Sequence, residues 1–236
     1  NGALMSDRQR FAELVWGLRR RAGVFVDDLA SEIVESGAKV VGCTSTFVQT
    51  LASLGLLKRI RELNPEIVTV MGGANCEGVM GQALVRHFPW LDYVCSGEGD
   101  SLVAPFFADL LRQGRAVSSV PYGVLSQGAA QVFGEEPRAT VGNLDEVPTP
   151  DFDEYFGTLE RLGLRSAVDP SLVLETSRGC WWGQKHHCTF CGLNGHGMGF
   201  RSKSPELALE QFHTLAERYD CRRFMMADNI LDPTYF

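Results

Sequence analysis

Ile67-Val68-Thr69-Val70-Met71-Gly72-Gly73-Ala74-Asn75 decides the fold of the N-terminal half. Its first five residues are nearly all apolar and mostly β-branched, bounded by Pro65 and by the paired glycines. So short an apolar run reads as a strand buried on both faces. Upstream, Ala38-Lys39-Val40-Val41-Gly42-Cys43 has the same character and delivers Thr44-Ser45-Thr46. Between the two lies a helical pattern. Leu56, Leu57, Ile60 and Leu63 share one face, Lys58, Arg59, Arg61 and Glu62 fill the other, and Asn64-Pro65 stops it. Downstream, a helix over about 79–88 leads to the third strand, Leu91-Asp92-Tyr93-Val94-Cys95. Gly97-Glu98-Gly99-Asp100 closes that strand, and a further helix covers about 101–112. Strand, loop and helix recur three times, which predicts a Rossmann-like α/β domain whose parallel sheet carries helices on both faces.

Such sheets bind ligands at the carboxyl ends of their strands. Here those ends carry Thr44-Ser45-Thr46, Gly72-Gly73 and Gly97-Glu98-Gly99. Glycines let a bulky ligand approach the backbone, while hydroxyls and free amides bind its polar tail. Any one pair can serve a tight turn alone; three successive strand ends favour a ligand.

Past Gly114 the pattern weakens. Pro121, Pro137, Pro148 and Pro150 break it up, and Pro148-Thr149-Pro150-Asp151-Phe152 reads as extended linker. A second domain starts near Ser171 with the strand Leu172-Val173-Leu174-Glu175-Thr176. Ser204-Pro205-Glu206 then announces a helix, with Ser204 as N-cap and Pro205 in the first turn. Its buried face is Ala208, Phe212, Leu215, Ala216 and Tyr219, and Arg223-Phe224-Met225-Met226-Ala227 is the next strand. This is one βα unit plus a strand, the opening of a barrel or wound sheet. The expected organisation is a domain over 1–125, a linker over 126–170 and a second domain over 171–236. The start at Asn1 rather than Met, and the stop at Phe236 without a terminal cap, read as a truncated piece of a longer protein.

Composition excludes several classes. A net charge of −7 argues against nucleic-acid or anionic-membrane partners, which want a basic face. No apolar run approaches the ~20 residues that span a bilayer, and Arg8, Arg10 and Glu13 interrupt any signal-peptide core. The chain reads as cytoplasmic. In a reducing compartment its seven cysteines remain thiols. Cys43, Cys76, Cys95 and Cys221 lie singly in apolar stretches and read as small buried hydrophobes.

The other three are clustered in Arg178-Gly179-Cys180-Trp181-Trp182-Gly183-Gln184-Lys185-His186-His187-Cys188-Thr189-Phe190-Cys191-Gly192. The spacing is C-x7-C-x2-C. Three thiolates leave one iron of a [4Fe–4S] cubane without a protein ligand, where electron-transfer clusters normally use four. That open iron can chelate the amino and carboxylate groups of S-adenosylmethionine (SAM). Phe190 would shield the cluster and pack near the adenine. The alternative is a Cys3His zinc site completed by His186, His187 or His196. A preceding strand, the single C-x2-C pair and the aromatic before Cys191 favour iron–sulfur.

The segments 175–180 and 187–195, with Phe200-Arg201-Ser202-Lys203-Ser204-Pro205 and Asp228-Asn229-Ile230-Leu231, resemble a cobalamin-dependent radical SAM family. These are the RiPP maturation radical SAM C-methyltransferases (ribosomal peptide maturation radical SAM protein 1). The long first cysteine spacing departs from the superfamily's C-x3-C-x2-C but matches this subfamily. Val40-Val41-Gly42, the 72–78 loop and Gly97-Glu98-Gly99 resemble its cobalamin domain. The resemblance implies that Ser45, Thr46, Gln49, Gly72, Gly73, Gly97, Glu98 and Gly99 hold cobalamin. It places Asp228 and Asn229 at the methionine moiety of SAM; a turn cap is their structural alternative. No D-x-H-x-x-G occurs, so no histidine is assigned to cobalt, and His87 reads as a surface residue near a helix end. The implied reaction is methylation of an unactivated carbon in a ribosomally made precursor peptide, with an external electron donor. The rivals are a non-methylating radical modification, such as epimerisation or cyclisation, and a non-catalytic metal- or cobalamin-binding module.

Overall fold

Val68–Gly72 forms a strand, β2, because four of its five residues are buried and only an extended chain can bury alternate side chains on opposite faces. In the computed structural model, which describes residues 6–127, 137–191 and 199–236, β2 is the centre of the N-terminal sheet. β1 (Val40–Thr44) pairs parallel to it, from Val40 opposite Val68 to Thr44 opposite Gly72. β3 (Tyr93–Cys95) pairs parallel on the other side, and β4 (Val124–Ser126) closes the order antiparallel to β3. Helices α2 (Thr50–Leu63), α3 (Gly78–His87) and α4 (Val103–Gln113) connect the strands. The expected parallel α/β sheet is therefore present, with an antiparallel edge strand added.

Each face has its own core. Leu54, Leu57, Leu84 and Val85 of α2 and α3 pack on Met71, Val94 and Leu125. Phe106 and Leu110 of α4 pack on Val68, Val70, Tyr93 and Val124. A helix with no counterpart in the expected elements precedes all this: α1 (Asp7–Glu35), whose Ala30, Ile33 and Val34 meet Ile60 and Ile67. Its start was readable, because Ser6 and Gln9 form a reciprocal capping box.

The chain divides into two compact units, 1–140 and 141–236. The unit boundary falls within the expected linker over 126–170, and 148–152 has no regular structure. The same stretch holds the end of β4 and a helix, α5 (Asp153–Arg161), whose Phe156 ring stacks on Tyr219 at 4.8 Å and whose Leu159 joins the same core. One short amphipathic turn, with Asp153 and Glu154 at its start, is hidden among prolines in the sequence. In the second unit β5 (Leu172–Leu174) pairs parallel with β8 (Phe224–Met226), and α7 (Pro205–Tyr219) joins them. Ser204 caps α7 as expected, and Asp220 ends it in the left-handed conformation. Gln211 also lies on the buried face of α7, beside Ala208, Leu215 and Tyr219. Among the described residues no helix is long and apolar enough to cross a membrane.

Gly73 has φ +95°, and a β-carbon there would sit 2.6 Å from the Ser45 carbonyl oxygen. Gly55, exposed on α2, has nothing within 4 Å. Urea unfolding should therefore show Gly73→Ala destabilising by about 2–3 kcal/mol. Gly55→Ala should stabilise by up to about 1 kcal/mol.

Candidate functional site

In the second unit the chain leaves β5 and is caught at once. Asp228, just past β8, accepts hydrogen bonds from the Thr176 N–H at 2.7 Å, the Thr176 hydroxyl at 2.5 Å and the Ser177 N–H at 2.9 Å. The Ser177 hydroxyl donates to the Ile230 carbonyl at 2.7 Å. Both carboxylate oxygens of Asp228 thus bridge the end of β8 to the segment after β5. Glu175 and Arg178 form a two-pronged pair, with both N···O distances 2.8 Å. Ser177–Arg178, as β6, pairs antiparallel with β7 (Arg201–Ser202).

Gly179, at φ +80°, turns the chain into the cysteine loop. Cys180 caps a short helix, α6 (Trp181–Lys185), and its Sγ accepts the Gly183 N–H at 3.2 Å. The Trp181 indole N–H binds the Leu231 carbonyl at 3.0 Å, tying the loop to the segment after β8. Cys180 and Cys191 are half-buried and Cys188 is exposed; all three are unpaired thiols. The Cys191 N–H donates to the Cys188 carbonyl at 3.1 Å, so the C-x2-C pair forms a tight turn. Among the described residues no three His, Cys, Asp or Glu side chains converge as metal ligands. The three thiols share a loop and are not gathered to a point. Residues 192–195 of the motif, and His196, lie outside the described residues. Phe190 is 99 % exposed, His186 and His187 are exposed, and the His186 ring lies 5.1 Å from that of Trp182. As a donor set, three free thiols in one loop fit a [4Fe–4S] cluster.

Behind the loop stands a group absent from the expectations. Lys203 is 3 % exposed, and its ammonium donates to the Gln211 side-chain carbonyl at 2.8 Å. Burial pushes its pKa down, and Glu175 opposes that shift. Its backbone N–H binds the Thr176 carbonyl at 2.8 Å, so it braces the end of β5. Nothing in a surface-type residue such as lysine signals this burial.

In the first unit the strand ends form a polar knot. Ser45 is fully buried; its N–H donates to the Gly72 carbonyl at 2.7 Å, and its hydroxyl lies 2.9 Å from that of Thr50. The Gln49 side-chain carbonyl accepts both the Thr46 N–H at 2.8 Å and the Thr46 hydroxyl at 2.9 Å. Two of the glycines are also required by the fold itself. The missing β-carbon of Gly73 faces Ser45, and that of Gly97, at φ +92°, would lie 2.3 Å from the Ala139 carbonyl. Both glycines admit the protein's own backbone. Glu98 binds the same Ala139 carbonyl through its N–H at 2.9 Å, and Gly99 follows, close to Val103. Asn75, in the 72–78 loop but not among the expected site residues, also belongs to the knot. Phe47, Val48 and Leu51 stand exposed beside it. Cys76 and Cys95 are pushed up by burial to about 12 and about 11, so they stay protonated near neutrality as small hydrophobes. His87 is the exposed last residue of α3.

No protein-family model matches the chain. It is 27% identical over 203 residues to an uncharacterized methyltransferase of Pyrococcus horikoshii, across 86% of this chain and 42% of that protein. It is 25% identical over 228 residues to the anaerobic magnesium-protoporphyrin IX monomethyl ester cyclase of Rubrivivax gelatinosus, across 89% of this chain and 38% of that enzyme. The chain spans less than half the length of either. A solved structure shares its fold. This is OxsB, a cobalamin-dependent S-adenosylmethionine radical enzyme with aqua-cobalamin and S-adenosylmethionine bound. The TM-score is 0.61 at 22% identity, across 86% of this chain and 27% of that one.

Two measurements test the second unit. Asp228→Ala leaves the Thr176 and Ser177 amides without their acceptor, and should cost about 2–3 kcal/mol in urea unfolding. Asp232 is held below the ordinary carboxylate range, first by the Ser202 hydroxyl and then by the Thr234 N–H. A depressed folded pKa gives stability that is complete above the unfolded value of about 3.9 and lost as pH falls through the folded value. Between pH 5 and pH 2 the unfolding midpoint should therefore drop less in Asp232→Asn than in the wild type.

Proposed function

We propose that the protein containing this chain is a cobalamin-dependent radical SAM methyltransferase that acts on an unactivated carbon of a ribosomally made peptide during its maturation. The observation that carries this reading is the C-x7-C-x2-C loop of three unpaired thiols, placed at the carboxyl end of a β–α–β unit. Cys180, Cys188 and Cys191 would hold a [4Fe–4S] cluster with one iron left for SAM. When bound, the cluster and SAM supply a carbon-centred radical, and cobalamin supplies the methyl group.

The chain's own residues position these groups. Gly179 turns the backbone so that Cys180 enters the loop extended, and the Gly183 N–H donated to its Sγ fixes where that sulfur points. Asp228 fixes the end of β5 against that of β8, and Asp228 and Asn229 would lie at the methionine end of SAM. Phe190, projecting freely, would cover the cluster and pack near the adenine. In the first unit Ser45, Thr46, Gln49, Gly72, Gly73, Gly97, Glu98 and Gly99 sit at strand ends and the loops beyond them. That is where a parallel sheet receives a nucleotide tail, which supports assigning them to cobalamin. The precursor peptide and an external electron donor are the partners, in the cytoplasm.

The similarity to an enzyme named as a cyclase favours a second reading, radical ring formation without methyl transfer. Product mass separates the two. The full-length protein, reconstituted anaerobically with iron, sulfide, cobalamin, SAM and a reductant, should give a peptide product heavier by one methyl substitution. A product lighter by two hydrogens supports cyclisation; deoxyadenosine without any altered peptide rejects both. Cys180→Ala, Cys188→Ala and Cys191→Ala should each abolish the visible iron–sulfur absorption. A colourless protein with stoichiometric zinc would overturn the cluster assignment.

A further inference from the structure

Phe47 is one of two non-glycine residues with positive φ, at +47°, among the described residues. For a bulky aromatic this is an outlier that the surroundings must enforce. The enforcing group is Asn75. Its side-chain NH2 faces the Phe47 carbonyl at 3.1 Å, the Ser45 hydroxyl at 3.1 Å and the Thr50 hydroxyl at 3.0 Å. Its backbone N–H donates to the Ser45 carbonyl at 3.1 Å. One residue after β2 therefore clamps the whole loop after β1.

The clamp does not serve burial. Phe47 and Val48 are each 92 % exposed and Leu51 is 82 % exposed. A strained backbone that holds three apolar side chains in water points to an absent contact rather than to the fold's own core. These residues follow the carboxyl end of β1, where parallel sheets bind ligands. Thr46 and Gln49, two polar residues assigned to the nucleotide tail, interleave with them. None of the three apolar side chains carries a metal-ligating atom, so what they offer is flat contact area beside polar anchors. That suits a ligand with a broad apolar ring and a polar tail.

We infer that Asn75 is a positioning residue that presents Phe47, Val48 and Leu51 as an apolar seat for the corrin ring. The inference rests on the cobalamin reading above and assigns it a determinant that the strand-end glycines do not supply.

The test uses the full-length protein with hydroxocobalamin as probe. Binding is followed by equilibrium dialysis and visible absorption, and stability by urea unfolding of the same samples. Phe47→Gly removes the ring where glycine accepts the positive φ, so it should leave stability equal or higher while weakening binding about tenfold. A purely structural Phe47 would not separate the two readouts in this way. Asn75→Ala should weaken binding in the wild type but add little in the Phe47→Gly background, because the clamp then has no ring to present. Unaltered affinity in both single variants, with the wild type binding, overturns the seat and leaves the cobalamin reading intact. A wild type that takes up no hydroxocobalamin overturns the cobalamin reading and this inference with it.

Discussion

Parallel strands joined through helices release their chain at the carboxyl edge, where the next amides have no neighbouring strand to bind. Both units depend on how this deficit is met. In the second unit one carboxylate, Asp228, takes the amides of Thr176 and Ser177. In the first, Ser45 reaches across to the Gly72 carbonyl and Asn75 reaches back to Ser45. Buried amides without acceptors each cost on the order of a hydrogen bond's desolvation, so these side chains are conditions for the fold. They also set the paths of the loops that carry the proposed chemistry.

The opposite edge of the first sheet is held by charge. Asp92, at the entry to β3, pairs with Arg61 and Arg115 and accepts the Thr69 N–H at 2.8 Å. A buried carboxylate with two guanidinium partners and a backbone donor is strongly specified, since removing one partner strands the others. The amino edge is therefore cross-linked by charge. At the carboxyl edge, Phe47, Val48 and Leu51 stay exposed despite a dense set of hydrogen bonds. A fixed frame below and a presented surface above suit a site that must be ready before its ligand arrives.

The seven cysteines divide by environment. Cys76, Cys95 and Cys221 are buried, and burial holds the first two well above neutrality as thiols. The loop cysteines are half-buried or exposed, with glycines and a tight turn around them. Spacing alone separated Cys76, Cys95 and Cys221 from the loop cysteines, because isolated cysteines in apolar runs tend to face a core. Cys43, expected with the buried group, is half-buried. The buried Lys203 and Gln211 had no such signature, since neither residue type announces burial.

The sequence by itself determined the parallel strands, the helices between them and the thiol loop, because strand-length apolar runs, 3.6-residue periodicity and close cysteine spacing are local properties. It missed α1 and α5, although the capping box at Ser6 marked the first, and α5 lies within the expected linker over 126–170. Tertiary structure decided why the glycines are needed. Gly73 and Gly97 face Ser45 and Ala139, partners far away in the chain. It also decided that Asp228 is engaged by Thr176 and Ser177, and that Asn75 clamps Phe47. Each of these depends on which strand ends lie side by side, and strand adjacency is a non-local outcome that no window of residues encodes.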